Sequence, residues 1–274
     1  MATAVNVLRE AGITASLKKN VSPFHDCGDV QLSEIRKDSG PKNLMNFTQF
    51  LADTESIRSA VDRVGDESLV FALGGECSIC LGTLAGLNRR LEGEAGMVWI
   101  DAHGDFNTPE TTPSGYIGGM CLAMACGRGP KLRRIVRDRD RLLSEKNVVH
   151  LASRELDPAE SKTMSSSPMK TYSASTLRGE GLQLTARLAA SSLADRCDWI
   201  ACHLDVDSID PKIIPAVNFP AQDGLTLQET KAIVDAVHRT GKMKLFEFVG
   251  YNPDLDRDRA CATKLVRLAS NMFG

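Results

Sequence analysis

Short apolar runs recur along the chain, and between them apolar positions space out with helical periodicity. Residues 69–74 (LVFALG) lead into SICLGTLAGLNRRL, and 96–101 (GMVWID) lead through a polar loop into GGMCLAMACG. The runs 147–152 (NVVHLA) and 169–174 (MKTYSA) follow, the second preceding LQLTARLAASSLAD. Residues 198–207 (DWIACHLDVD) precede a long loop and LQETKAIVDAVHRTG, and 244–250 (KLFEFVG) precede ACATKLVRLASNMF. Strands that are apolar on both faces and alternate with helices predict an α/β fold with one parallel sheet covered on both sides. The first twenty residues predict an amphipathic helix, and the cluster SKTMSSSP (161–168) predicts a loop. With no internal repeat and no long linker, residues 1–274 are expected to form a single domain.

Composition narrows the function classes. The chain is 42% hydrophobic and 25% charged, with a net charge of −2. No strong field points to nucleic acid or to a membrane surface, and no apolar run has transmembrane length. The most basic stretch, RGPKLRRIVRDRDRLL (128–143), mixes both signs with apolar residues and predicts a solvated helix face rather than a phosphate site. Eight scattered cysteines are too sparse for a disulfide scaffold, so reduced thiols in a cytoplasmic protein are expected.

Ligands bind beyond the carboxyl ends of strands in such sheets. Two of those ends carry metal-type donors: Asp101, His103 and Asp105 in IDAHGDFNTP, and His203, Asp205, Asp207 and Asp210 in HLDVDSIDP. Side chains at i, i+2 and i+4 of an extended chain share a face, so Asp101, His103 and Asp105 can point to one place, and so can Asp205 and Asp207. Converging carboxylates repel one another unless a cation lies between them. Carboxylate and imidazole donors suit manganese and related divalent ions, and bridging carboxylates give a binuclear centre with an activated water. A third end, LGGECSIC, holds Cys77 and Cys80 in a C-x-x-C. By itself that motif is a redox pair, half of a zinc site or two core cysteines.

The segments GGECS, DAHGDFNTPETTPSG and HLDVDSIDPKIIPA, in this order and spacing, resemble the ureohydrolase family of arginase, agmatinase and formiminoglutamase. SRELDPAE (153–160) and YNPDLD (251–256) extend the resemblance over most of the chain. It implies a three-layer αβα arginase-like fold, two Mn2+ ions and hydrolysis of a guanidino C–N bond. One ion would be held by Asp101, His103, Asp205 and Asp207. The other would be held by Asp101, Asp105, Asp205 and Cys77, which stands where the family has histidine. Glu76 is the next candidate ligand, and Cys80 is then packing. A thiolate is softer than imidazole, which opens the site to other divalent metals. Asp105, which would also orient the attacking hydroxide, and His103 are the implied catalytic residues. Asn107, Thr112 and Ser114 match positions that hold a substrate α-carboxylate, and Asp157 matches the acid that holds the α-amino group. The implied partner is therefore a small guanidino α-amino acid rather than agmatine.

Several positions depart from arginase. Gly118 replaces its proton-shuttling histidine, and the neighbouring Tyr116, a phenol with a pKa of about 10, is a poorer shuttle. Gly250 replaces a glutamate that binds the guanidinium; Glu247, three residues earlier, belongs to the opposite strand face. Phe219 replaces a small polar residue. These departures, with the run DFNTPETT, resemble the N-hydroxy-L-arginine amidinohydrolase branch. The expected reaction converts arginine or N-hydroxy-L-arginine to ornithine plus urea or hydroxyurea. The alternatives are a catalytically impaired, metal-binding regulatory protein and a redox C-x-x-C protein in which Cys80 matters as much as Cys77. The family usually opens with a strand before the helix matched by VNVLREAGITASLKK. That first strand is expected to be missing here, and the oligomeric state is either monomer or homo-oligomer.

Overall fold

A computed structural model describes residues 3–34, 40–65, 68–130, 132, 135 and 140–272. Six strands form one parallel sheet: β1 (Val70–Leu73), β2 (Ala95–Ile100), β3 (Val148–Ser153), β4 (Lys170–Ser173), β5 (Trp199–Asp205) and β6 (Met243–Val249). Their spatial order is β1-β6-β5-β2-β3-β4. From β2 the chain winds outward through β3 to β4, then returns to β5 and winds the other way. The topological switch point therefore lies between β2 and β5, where sheets of this kind bind ligands.

Every position of β2, β3 and β5 is buried, because helices cover both faces. Alternate residues divide between two cores. Val98, Ile100, Ile200, Cys202, Phe246 and Phe248 pack on one face against α1 (Ala4–Glu10), α2 (Ile13–Asn20), α8 (Leu182–Ala194), α9 (Leu227–His238) and α10 (Ala260–Met272). Met97, Trp99, Trp199, Ala201 and Leu245 pack on the other against α3 (Phe47–Val61), α4 (Ile79–Arg90) and α5 (Cys121–Ala125). The result is a three-layer αβα fold, as expected.

Local chemistry corrects two expectations. The N-terminal stretch is two helices, because Gly12 adopts a left-handed φ of 95° and breaks the periodicity between α1 and α2. Residues 161–168 are mostly helical, not a loop: α6 spans Pro158–Ser166. Asp157 caps it, Pro158 fills its first turn and the Glu160 side chain returns to the Asp157 N–H. That capping box outweighs the loop-like serines. Helix α3 has no counterpart among the predicted elements. In the basic stretch 128–143, residues 131, 133, 134 and 136–139 lie outside the described residues, and with them the expected helix face.

α7 (Ala174–Gly179) is tied to the start of α9 by Arg178, which pairs with Glu229 at 2.8 Å and donates to the Gly224 carbonyl. The Arg178 hydrogen bond holds the Glu229 carboxyl at about 2, below its ordinary 4.5. A depressed acid contributes stability above its unfolded pKa and loses it as pH falls through the folded value. The stability difference between wild type and Glu229→Gln is therefore expected to be constant above pH 5 and to shrink below about pH 4.5. Urea unfolding at several pH values checks this.

Candidate metal centre and substrate cavity

The loop after β2 and the end of β5 meet at the switch point. Asp101, Asp105, Asp205 and Asp207 are all buried there. His103 Nδ1 lies 3.1 Å from Asp207 Oδ2 and 3.5 Å from Asp101 Oδ1. Cys77 Sγ lies 3.0 Å from Asp205 Oδ2 and 3.8 Å from Asp101 Oδ2. The convergence does not come from one straight strand. β2 ends at Ile100, and Asp105 takes a left-handed φ of 48°. Asp101 accepts the His103 N–H and Asp205 the Asp207 N–H, both at 2.8 Å, so each acid bends the loop that presents the next donor.

The cluster is short of positive charge. Burial pushes the Asp101 carboxyl up, but hydrogen bonding and charge from His103 prevail and bring it to about 2. Burial lowers the His103 pKa, and the carboxylates of Asp101 and Asp207 more than reverse this, to about 12. Burial and then the Asp101 charge push Asp105 well above 3.8. Burial and the Asp205 charge do the same to Asp207, and Asp205 itself is raised. One imidazolium cannot compensate four carboxylates in a buried site. One donor atom each from Asp101, His103 and Asp207 lies within 4.8 Å of the others, a set that fits a hard divalent cation.

All eight cysteines are free. Burial raises the Cys77 thiol well above 9, so its thiolate requires a neighbouring cation. Cys80 is buried in α4, and burial pushes its thiol up to about 12. A redox pair lacks its attacking thiolate here.

A cavity of about 380 Å³ opens above the acids and includes Asn107, Thr112, Ser114, Tyr116 and Asp157 in its wall. Asn107 Nδ2 donates to Asp157 Oδ2 at 2.9 Å. The Thr112 hydroxyl accepts the Gly115 N–H at 3.0 Å, and the Ser114 hydroxyl accepts that of Tyr116 at 3.2 Å. Phe219, 53% exposed, stands at the mouth with its ring 6.0 Å from those of His103 and Tyr116.

The three departures have structural counterparts. Tyr116 Oη donates to Glu76 Oε2 at 2.5 Å, and this pair fills the space beside Gly118, where a Cβ would lie 2.5 Å from the tyrosine ring. Glu76 also accepts from the Ser78 hydroxyl, so its carboxylate is engaged away from the acids. Gly250 has φ 89°, and a Cβ there would lie 2.0 Å from Asp205 Oδ1. Glu247 turns away from the cavity, with Oε2 2.6 Å from His203 Nδ1 and Oε1 accepting from Thr83. Asp210 caps a turn by accepting the Lys212 and Gly224 N–H groups and is not part of the cavity wall.

Glu160 is a site residue that sequence reasoning passed over, although its capping box with Asp157 is legible. Its Oε1 accepts the Phe106 N–H at 2.8 Å, fixing the loop that carries Asn107. Glu160→Ala removes the cap and this anchor. It is expected to cost about 1–2 kcal/mol and to raise KM more than it lowers kcat. Thermal unfolding and steady-state kinetics check this.

The chain matches the Arginase family over residues 2–274. An arginase of Bacillus caldovelox is 32% identical over 273 residues, covering 98% of this chain and 91% of the relative. The crystal structure of Bacillus cereus arginase superimposes with a TM-score of 0.90 at 30% identity, covering 99% and 92% of the two chains. Entamoeba histolytica arginase, solved in complex with L-ornithine, superimposes with a TM-score of 0.89 at 25% identity, covering 99% and 91%. With the match running nearly end to end and the acidic cluster at the switch point of the same fold, this chain belongs to the arginase family.

Proposed function

We propose that the protein is a binuclear metal amidinohydrolase that converts N-hydroxy-L-arginine to L-ornithine and hydroxyurea. The observation that carries the choice of substrate is the wall at Gly250. Gly250 supplies no side chain to pair a guanidinium, the Asp205 carboxylate beside it is a metal-site acid already bonded to the Asp207 N–H and the Cys77 thiol, and Glu247 is committed to His203. A buried guanidinium needs a carboxylate dedicated to it, and the acids nearest Gly250 and Gly118 already have partners. An N-hydroxyguanidine is less basic and enters neutral more readily. The L-ornithine bound by the Entamoeba relative supports an amino acid of this length as product.

Cys77, Asp101, His103, Asp105, Asp205 and Asp207 would hold the two ions, manganese or another divalent metal. When bound, such a pair lowers the pKa of a water and stabilises charge developing at the guanidino carbon. Asp105 would accept a hydrogen bond from the attacking water and orient it. Asn107, Thr112 and Ser114 hold the α-carboxylate, and Asp157 holds the α-ammonium group. Tyr116 and Phe219 narrow the mouth and keep bulk water out. Hydrolysis breaks the bond between the guanidino carbon and the side-chain nitrogen of the ornithine product. The carbon gains the water oxygen, and the nitrogen gains a proton.

Manganese-loaded protein offered L-arginine, agmatine and N-hydroxy-L-arginine separately tests this, with products read by mass spectrometry. Ornithine and hydroxyurea from N-hydroxy-L-arginine alone are expected. Turnover of arginine with comparable kcat/KM would overturn the substrate assignment. Silence on all three with two metals bound would favour a non-catalytic role.

A further inference from the structure

Two fully buried histidines of the described chain, His150 on β3 and His203 on β5, have no part in the site above. His203 lies on β5 two residues before Asp205 and is fully buried, on the sheet face covered by α4. In register it sits between Trp99 of β2 and Glu247 of β6. Its ring stacks on Trp99 with centroids 3.7 Å apart and planes at 7°. Trp99 Nε1 in turn donates to Asp101 Oδ2 at 3.2 Å. Glu247, also fully buried, holds His203 Nδ1 at 2.6 Å and is steadied by the Thr83 hydroxyl. With Nδ1 turned to that carboxylate, Nε2 is the ring nitrogen left to face another group. That Nε2 is buried and has no hydrogen-bond partner. Both ring nitrogens of buried His150 also lack a partner, so what singles out His203 is the carboxylate behind its ring and the Cys77 and Asp101 donors beside it.

We propose that His203 is a metal ligand, and that it forms with Cys77 and Asp101 a cation position distinct in chemistry from the Asp101–His103–Asp207 set. One ligand atom from each of Cys77, Asp101 and His203 lies within 4.8 Å of the others. A carboxylate behind the imidazole is the usual support of a ligating histidine, fixing its tautomer and orientation. Glu247 and Thr83 supply it, and Trp99 fixes the ring plane. The inference rests on the metal-centre reading and deepens it. Thiolate, imidazole and carboxylate together are a zinc- or cobalt-type donor set, whereas two carboxylates and one imidazole suit manganese. With Asp105 and Asp205 beside it, the Cys77 position keeps carboxylate donors as well, and the thiolate and imidazole make it the softer of the two.

Metal-free protein titrated with cobalt, followed by absorption and by bound metal after dialysis, tests this. Wild type is expected to bind two ions, one giving a thiolate-to-cobalt charge-transfer band. His203→Gln should weaken that ion by at least about tenfold and shift the band, and Glu247→Gln should weaken it about 10–100-fold. A His203→Gln variant with wild-type affinity and spectrum would overturn the inference. If Cys77→Ser abolishes the band while His203→Gln leaves it intact, only the ligand assignment fails. If wild type binds no cobalt, the metal-centre reading itself fails. Should His203→Gln not fold, cobalt-loaded wild-type crystals decide. An anomalous peak about 2.1 Å from His203 Nε2 supports the assignment, and a peak on Cys77 with Nε2 beyond about 3 Å overturns it.

Discussion

Asp101→Ala is expected to abolish hydrolysis, with kcat/KM falling by on the order of 10³ or more and metal content falling with it. Asp101 is the acid through which the cluster is joined. It accepts from the His103 backbone and from Trp99, lies 3.5 Å from the His103 ring and 3.8 Å from the Cys77 sulfur. Metal ions contribute several kcal/mol of charge stabilisation, and each 1.4 kcal/mol is about tenfold in rate. Removing Asp101 also withdraws a carboxylate 3.5 Å from the His103 ring and orphans the buried Trp99 N–H. Asp101→Asn separates these effects, because it keeps the shape and an acceptor oxygen but loses the charge. Treatment with a chelator should reproduce the loss in wild type, and restored metal should reverse it there but not in the variants. Activity assays with elemental analysis provide the check; Asp101→Ala retaining both metals and turnover would refute the site.

Gly250→Ala should damage stability and activity together. The residue has a left-handed φ of 89°, which costs an L-amino acid about 1–2 kcal/mol. Its Cβ would lie 2.0 Å from Asp205 Oδ1 and 2.6 Å from Asp205 Cγ. Asp205 cannot yield freely, because the Asp207 N–H and the Cys77 thiol hold it at 2.8 and 3.0 Å. A loss of about 2–4 kcal/mol in stability is expected from strain plus displacement. A misplacement of about 1 Å in a catalytic group costs on the order of 10² in rate. Gly179→Ala, with no atom within 4 Å of its Cβ, is the control and should be neutral or slightly stabilising. The same geometry predicts that Gly250→Glu does not create arginine turnover, since the new side chain must first displace a metal-site acid. Thermal unfolding and kinetics on both substrates decide the matter.

Much of this was legible in the chain. Apolar runs at β2, β3 and β5, alternating with helical periodicity, specify a parallel sheet covered on both sides. That pattern is local and needs no knowledge of partners. Donors placed just beyond two of those runs were legible for the same reason, since strand ends carry ligands in such folds. Where the pattern misled, another local signal was present: the Asp157–Glu160 capping box for α6, and Gly12 for the break between α1 and α2.

Tertiary structure alone decided the pairings. Cys77 meets Asp205 across 128 residues, Glu247 meets His203 across 44, and Tyr116 meets Glu76 across 40. Spacing carries no information on such contacts, because they depend on strand order and register. β5 lies between β2 and β6, so Trp99, His203 and Glu247 fall into one buried rung. The sequence by itself therefore determined the fold class and the kind of atoms gathered at the strand ends. Which of those atoms face one another, and which acid is withdrawn from the cavity, was decided by the packing of the sheet.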